Sequence, residues 1–254
     1  MITRSQVPEA VCAVAERLES ADFKAYLVGG CVRDLLINKP PKDWDITTNA
    51  TPEEIQSLYA EDETYCNNDY GTVGVKNDDT EDERLKVVEV TPYRTESGYS
   101  DARRPDAVQF GVSLAEDLAR RDFTVNAIAY QPSDGAVVDQ FDGLTDLKER
   151  RLRAVGTADE RFTEDALRMM RAVRLAAELD FVIEAETMAA ITRHNTQLTK
   201  ISIERIAGEW LRLIDSPTPM QGMVFLERLG LLEHFIPEFT ASIGCEQGGI
   251  HAFD

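Results

Sequence analysis

The sequence predicts an α+β fold: a head of mixed strands and helices to about residue 154, then an all-helical remainder. Three observations carry this. Ala25-Tyr26-Leu27-Val28 reads as a short strand that runs through Gly29-Gly30 into a helix over 32–37. Asp43-Trp44-Asp45 follows nine residues after Asp34, with the alternation of a second strand. From Asp146 onward strand signals nearly vanish, and helical periodicity runs through 162–179, 184–193, 203–214 and 220–229.

The elements follow in order. Val11, Val14, Ala15 and Leu18 lie at helical spacing and predict an opening helix over 5–18. Two carboxylates at i and i+2 on a strand share a face, so Asp43 and Asp45 point together while Trp44 and Ile46 turn to the core. Thr51-Pro52-Glu53-Glu54 starts a helix with a capping Thr, Pro at the first position and acids in the first turn. Strands over 72–75 and 85–90 flank a solvated loop that gathers Asp78, Asp79, Glu81, Asp82 and Glu83. A short strand is expected at 108–110. Ser113 and Glu116 form a capping box opening a helix to about Tyr130. Another strand is expected at 136–138. In 162–179, Thr163 is the expected cap, with Glu164 and Asp165 in the first turn. Arg168, Arg171 and Arg174 then form a tilted stripe, and Ala166, Met170, Val173 and Ala177 fill another face.

Composition bounds the function. The 254 residues are 43% hydrophobic and 29% charged, an ordinary globular balance. No apolar run approaches a membrane span, and the N-terminus carries no signal-peptide core. Cys12, Cys31, Cys66 and Cys245 show no CxxC spacing, which fits a reducing cytoplasm. The three histidines lie far apart without metal-ligand spacing. A net charge of −19 is the reverse of the basic footprint of a nucleic-acid binder.

The glycine turn and the paired carboxylates form one constellation. A Gly-Gly turn lets backbone N–H groups approach a phosphate, and two carboxylates on one face can hold a divalent cation. Together they are the apparatus of phosphoryl or nucleotidyl transfer, although each alone is also an ordinary turn or a solvated pair. Glu89, inside Val87-Val88-Glu89-Val90, is a third carboxylate or an edge-strand residue facing solvent. Arg120-Arg121-Asp122 reads equally as surface pairing. Asn126 sits amid apolar residues and needs partners.

These motifs resemble the class II tRNA nucleotidyltransferase and bacterial poly(A) polymerase family of the polymerase-β superfamily. The likeness is carried by GGCVRDLLINKPPKDWDITTNATPEEI, VEVTPYR, RRDFTVNA and Thr163-Glu164-Asp165-Ala166-Leu167-Arg168, and it extends to ISIERI and the 229–238 segment. Asn38 stands where the family usually has Gly, a turn variant.

The resemblance implies a polymerase-β-like head with a mixed sheet (1–154), a helical neck (155–215) and the start of a helical body (216–254). It implies Mg²⁺ on Asp43 and Asp45, with Glu89 completing the catalytic set. Gly29, Gly30 and Arg33 would take the triphosphate, Arg121 and Asp122 would lie beside the nucleotide, and Asn126 would shape the site. Asp165 and Arg168 would hydrogen-bond the base edge, with Arg171 and Arg174 supporting the site or reaching the triphosphate. Tyr99–Asp106 resembles the family's flexible loop.

The implied activity is template-independent addition of C and A to the tRNA 3′ end, with CTP and ATP as substrates and tRNA as partner, without DNA or membrane. Its rivals are A-only addition, a poly(A) polymerase, and a non-catalytic RNA- or nucleotide-binding module. Tyr70-Gly71-Thr72-Val73 lacks the signature of the poly(A) branch. The sequence ends inside a segment that family members continue, so a C-terminally truncated chain is expected.

Overall fold

A computed structural model describes residues 2–60, 62–66, 71–98 and 107–245. The Tyr99–Asp106 loop, Tyr70 and the 248–254 run lie outside the described residues. The chain divides into two compact units, with the break in the second half between Glu149 and Arg150.

The first unit contains α1 (Glu9–Ser20), β1 (Ala25–Val28), α2 (Gly30–Leu36), β2 (Asp45–Thr48), α3 (Pro52–Ser57), β3 (Thr64–Cys66) and β4 (Val73–Lys76). It continues with β5 (Val87–Pro92), β6 (Arg94–Ser97), β7 (Ala107–Phe110), α4 (Leu114–Ala119), β8 (Ile128–Tyr130), β9 (Val137–Asp139) and α5 (Gly143–Lys148). Seven strands form one sheet in the order β3-β4-β5-β2-β1-β8-β9. β2 and β5 pair parallel and their neighbours antiparallel, so the sheet is mixed. Leu27, Ile46, Val90 and Ile128 are fully buried on it. β6 and β7 form a separate hairpin.

The second unit holds a short parallel pair, β10 (Arg151–Leu152) and β11 (Val182–Ile183), among helices. The helices are α6 (Ala158–Glu164), α7 (Leu167–Leu179), α8 (Ala185–His194), α9 (Ile203–Ile214), α10 (Pro219–Arg228) and α11 (Pro237–Ser242). α7 is the core helix: Met169, Met170, Ala172, Val173 and Ala176 are all fully buried.

Local chemistry accounts for several boundaries. Pro8 cannot continue a helix, so the opening segment splits into a 3₁₀ turn, Arg4–Gln6, and α1. The capping boxes at Thr51/Glu54 and Ser113/Glu116 both form. Asn38 has φ 56°, a left-handed turn that Asn tolerates better than most non-glycine residues.

Two helix expectations fail. The helix from Ser113 ends at Ala119, not near Tyr130. The Asp122 carboxylate accepts from Phe123 N at 2.8 Å, and the chain turns through a 3₁₀ segment into β8. β8 is wholly buried between β1 and β9, so sheet pairing overrides the helical pattern. The 162–179 helix breaks at Asp165, whose backbone is extended (φ −138°) and whose Oδ1 accepts from Leu167 N at 3.0 Å. Thr163 caps nothing; its hydroxyl bonds back to Asp159 O inside α6.

Candidate active site

The end of β1, the first turn of α2 and the start of β2 meet in the first unit. Gly29 has φ 77° and ψ −137°, a backbone region that residues with a Cβ avoid. A methyl group there would lie 3.3 Å from Arg121 Nη1 and 3.6 Å from Asp45 Oδ2. One on Gly30 would lie 3.6 Å from Arg33 Nη2 and 3.7 Å from Asp43 Oδ1. Each glycine is thus the floor between one arginine and one aspartate.

The alternation predicted both carboxylates on one strand, but the strand takes in only Asp45. Asp45 is the first residue of β2, and Asp43 lies in the bend before it, exposed. Trp44 and Ile46 are buried, as expected. The parallel register sets Asp45 opposite Glu89 of β5, and Glu89 is exposed. Burial, followed by the charges of Asp43 and Glu89, pushes the Asp45 carboxyl up to about 7; Arg121 opposes this. Such a surplus of negative charge is what a divalent cation relieves. Among the described residues no three His, Cys, Asp or Glu side chains form a ready-made metal cage. The donors fit a hard cation that completes its shell with water and substrate oxygens.

The arginines are fixed by their neighbours. Arg33, 9% exposed, donates from Nε to Asp34 Oδ1 at 2.8 Å and from Nη1 to Asn126 Oδ1 at 2.8 Å. Asn126 Nδ2 donates to Asp122 Oδ1 at 3.0 Å. Asn126 therefore has its partners, and Asp122 serves as a bracket for the turn and for Asn126. Arg121 Nη2 donates to the buried Asp117 at 3.3 Å.

In the second unit, Asp165 Oδ2 accepts from Arg205 Nη2 at 3.1 Å, while Arg168 Nη1 donates to Glu164 Oε2 at 2.8 Å. Asp165, Arg168 and Arg171 are partly exposed. Arg174 is buried: Nε meets Glu209 Oε2 at 2.5 Å and Nη1 meets Glu178 Oε2 at 2.6 Å. Its position is that of a brace between α7 and α9.

Asp34, Asp117, Glu164 and Arg205 escaped the site assignment made from sequence. Asp117 was legible as an i,i+3 and i,i+4 partner of Arg120 and Arg121. Arg205 reaches Asp165 from forty residues away, with no local signal.

Residues 25–153 match the family described as Poly A polymerase head domain. Residues 180–243 match one described as probable RNA and SrmB-binding site of polymerase A. The chain is 48% identical over 227 residues to the CCA-adding enzyme of Levilactobacillus brevis, covering 89% of this chain and 55% of that protein. It is 50% identical over 211 residues to that of Pediococcus pentosaceus, covering 83% and 51%. The structure is similar to the Bacillus stearothermophilus CCA-adding enzyme in complex with CTP, with a TM-score of 0.80, 37% identity, and coverage of 92% of this chain and 54% of that one. The chain spans about half the length of the curated relatives it matches.

Proposed function

Because the chain belongs to the Poly A polymerase head-domain family, we propose that it carries the nucleotidyl-transfer centre of an enzyme adding C and A to the tRNA 3′ end, with CTP and ATP as substrates. The observation that carries this reading is the Asp45–Glu89 register beside Gly29 and Gly30. It sets carboxylates for a cation, bare backbone for a phosphate and two arginines around one turn. The family match and the relatives' names support the reading.

In this mechanism Asp43 and Asp45 would hold Mg²⁺. A cation held there would supply positive charge to the triphosphate and the departing pyrophosphate and would make the RNA 3′-hydroxyl easier to deprotonate. Gly29 and Gly30 admit the triphosphate, and Arg33 and Arg121 donate to its oxygens. Both guanidiniums are already ion-paired on one side, so little reorganisation is needed when phosphate arrives. Glu89, exposed opposite Asp45, accepts the proton of the attacking hydroxyl.

The second unit reads the base. Asp165 keeps lone pairs for an exocyclic amine, and Arg168 presents donors to ring acceptors. Arg205 and Glu164 hold these two side chains in place. Arg171 lies on the same helix, and Arg174 ties that helix to α9 through Glu209. The head corresponds to 1–154, the neck to 155–215 and the start of a body to 216–254. Action in the cytoplasm fits four free cysteines, two of them exposed. Among the described residues no helix is long and apolar enough to cross a membrane.

The test is incorporation of labelled CTP and ATP, separately and together, into tRNA lacking its 3′ terminus, with Mg²⁺ and with Asp43→Ala as control. Two C and one A, lost in the variant, support the reading. ATP entering only tRNA that ends in CC marks an A-adding enzyme. No incorporation, even by a chain extended to its relatives' full length, sinks it.

A further inference from the structure

Asp117 has no place in the mechanism above, yet it is a carboxylate on α4 with 0% exposure. A buried charge is tolerated only where cations and hydrogen bonds surround it. Oδ1 accepts from Arg120 Nε at 3.0 Å, from Arg120 Nη2 at 2.7 Å and from Arg94 N at 3.4 Å. Oδ2 accepts from Arg121 Nη2 and lies near Thr47 Oγ1, both at 3.3 Å.

The two arginines it gathers are used differently. Arg120 Nε also donates to Arg94 O at 3.2 Å, so its guanidinium fastens α4 to the β6–β7 hairpin. Arg121 is turned toward the phosphate-admitting turn instead. Its Nη1 is the atom that a methyl group on Gly29 would meet, and its Nε is buried with no hydrogen-bond partner. The Nη1 group beside that turn suits an anionic oxygen.

We propose that Asp117 is a positioning residue that aims Arg121 at the nucleotide triphosphate by anchoring Nη2 and leaving Nη1 for phosphate. This rests on the nucleotidyl-transfer reading and adds a residue to it. Asp117 touches neither substrate nor reacting atoms. Without its charge, Arg121 has Asp45 as an alternative carboxylate, whose charge it already feels. Settling there would withdraw positive charge from the triphosphate and occupy a carboxylate meant for the cation. Thr47 belongs to the same device. It lies on β2 two residues beyond Asp45, and its hydroxyl is placed between Thr91 O at 3.1 Å and Asp117 Oδ2.

The experiment is titration of the chain with CTP and Mg²⁺ in a double-mutant cycle of Asp117→Asn and Arg121→Gln, with thermal melting alongside. Asp117→Asn should weaken CTP by about tenfold, the scale of one charge-assisted hydrogen bond lost. It should add no further loss in the Arg121→Gln background. Thr47→Val, which exchanges the hydroxyl for a methyl of similar size, should weaken CTP about threefold at nearly unchanged melting temperature, and again only when Arg121 is present. If Asp117→Asn does not fold, the Thr47→Val cycle decides.

Losses in CTP affinity that add across either cycle, or variants that bind CTP as the parent does, overturn the proposal. A parent that neither binds CTP nor extends tRNA removes the nucleotidyl-transfer reading and this inference with it. A parent that does both while the cycle is additive removes the role of Asp117 alone.

Discussion

Glu209→Ala tests whether α9 is fastened to α7 by charge. Arg174 is 7% exposed and Glu209 5%, so neither is screened by water. Removing one partner of such a pair costs about 3–5 kcal/mol, because the other charge stays buried. Here Arg174 keeps Glu178 at 2.6 Å, and Arg212, mostly exposed, loses little. The cost therefore falls near the low end, at about 3 kcal/mol, or about 6–12 °C in melting temperature for a chain of this size. Circular dichroism melting of the single variant and of Arg174→Met/Glu209→Leu reads it. The double variant should recover part of the loss, since apolar side chains replace a buried ion pair well while Glu178 gives up its bond to Arg174. A single variant melting within about 2 °C of the parent, or a double variant worse than the single, would refute the brace.

Four further outcomes follow from the geometry. Asp45→Asn should abolish nucleotide incorporation yet raise the melting temperature of the metal-free protein near neutral pH, since burial, Asp43 and Glu89 all disfavour its charge; a lower melting temperature counts against the crowded-carboxylate site. Gly29→Ala should cost about 1–3 kcal/mol in backbone strain and abolish CTP binding, measured by melting and titration. Burial pushes Asp117 up, but the guanidiniums of Arg121 and Arg120 outweigh it and hold the carboxyl below its ordinary value. Its contribution to stability is therefore present above the unfolded-state value of about 3.9 and lost as pH falls through the lower folded value, so Asp117→Asn should flatten acid destabilisation in a pH series of melts. Gly143→Ala should unfold the first unit more readily than Gly135→Ala, because its Cβ would sit 2.3 Å from Thr124 O, a backbone clash, while Gly135 faces open space and meets only the strain of its positive φ.

Much of this was legible where the chemistry is local. The Thr51 and Ser113 capping boxes, the Gly29-Gly30 turn and α9 all depend on residues within a few positions of each other. Asn38 was readable as a turn because its left-handed backbone is a property of one residue. The failures share a cause in distant partners. Nothing near Ile128 reveals that β1 and β9 will claim it for a sheet. The break at Asp165 was hidden because the Thr163-Glu164-Asp165 run looks like a good first turn. In the structure Asp165 itself supplies the start of α7 and is held by Arg205. Arg174 looked like the third member of a basic stripe; only the fold of α9 over α7 brings Glu209 to it.

The pairing of Asp45 with Glu89 also governs where this chain can change length. Side chains alternate along a strand, so one residue inserted into β5 before Glu89 would exchange its inward and outward positions and carry the carboxylate off its face. The stretch between β4 and β5 carries no such constraint: Asn77 to Asp82 is a partly exposed turn, and Asn77 N to Lys86 O closes the whole connection at its base. Insertions and deletions should thus accumulate in that acidic tip, while β2 and β5 keep a fixed count of residues.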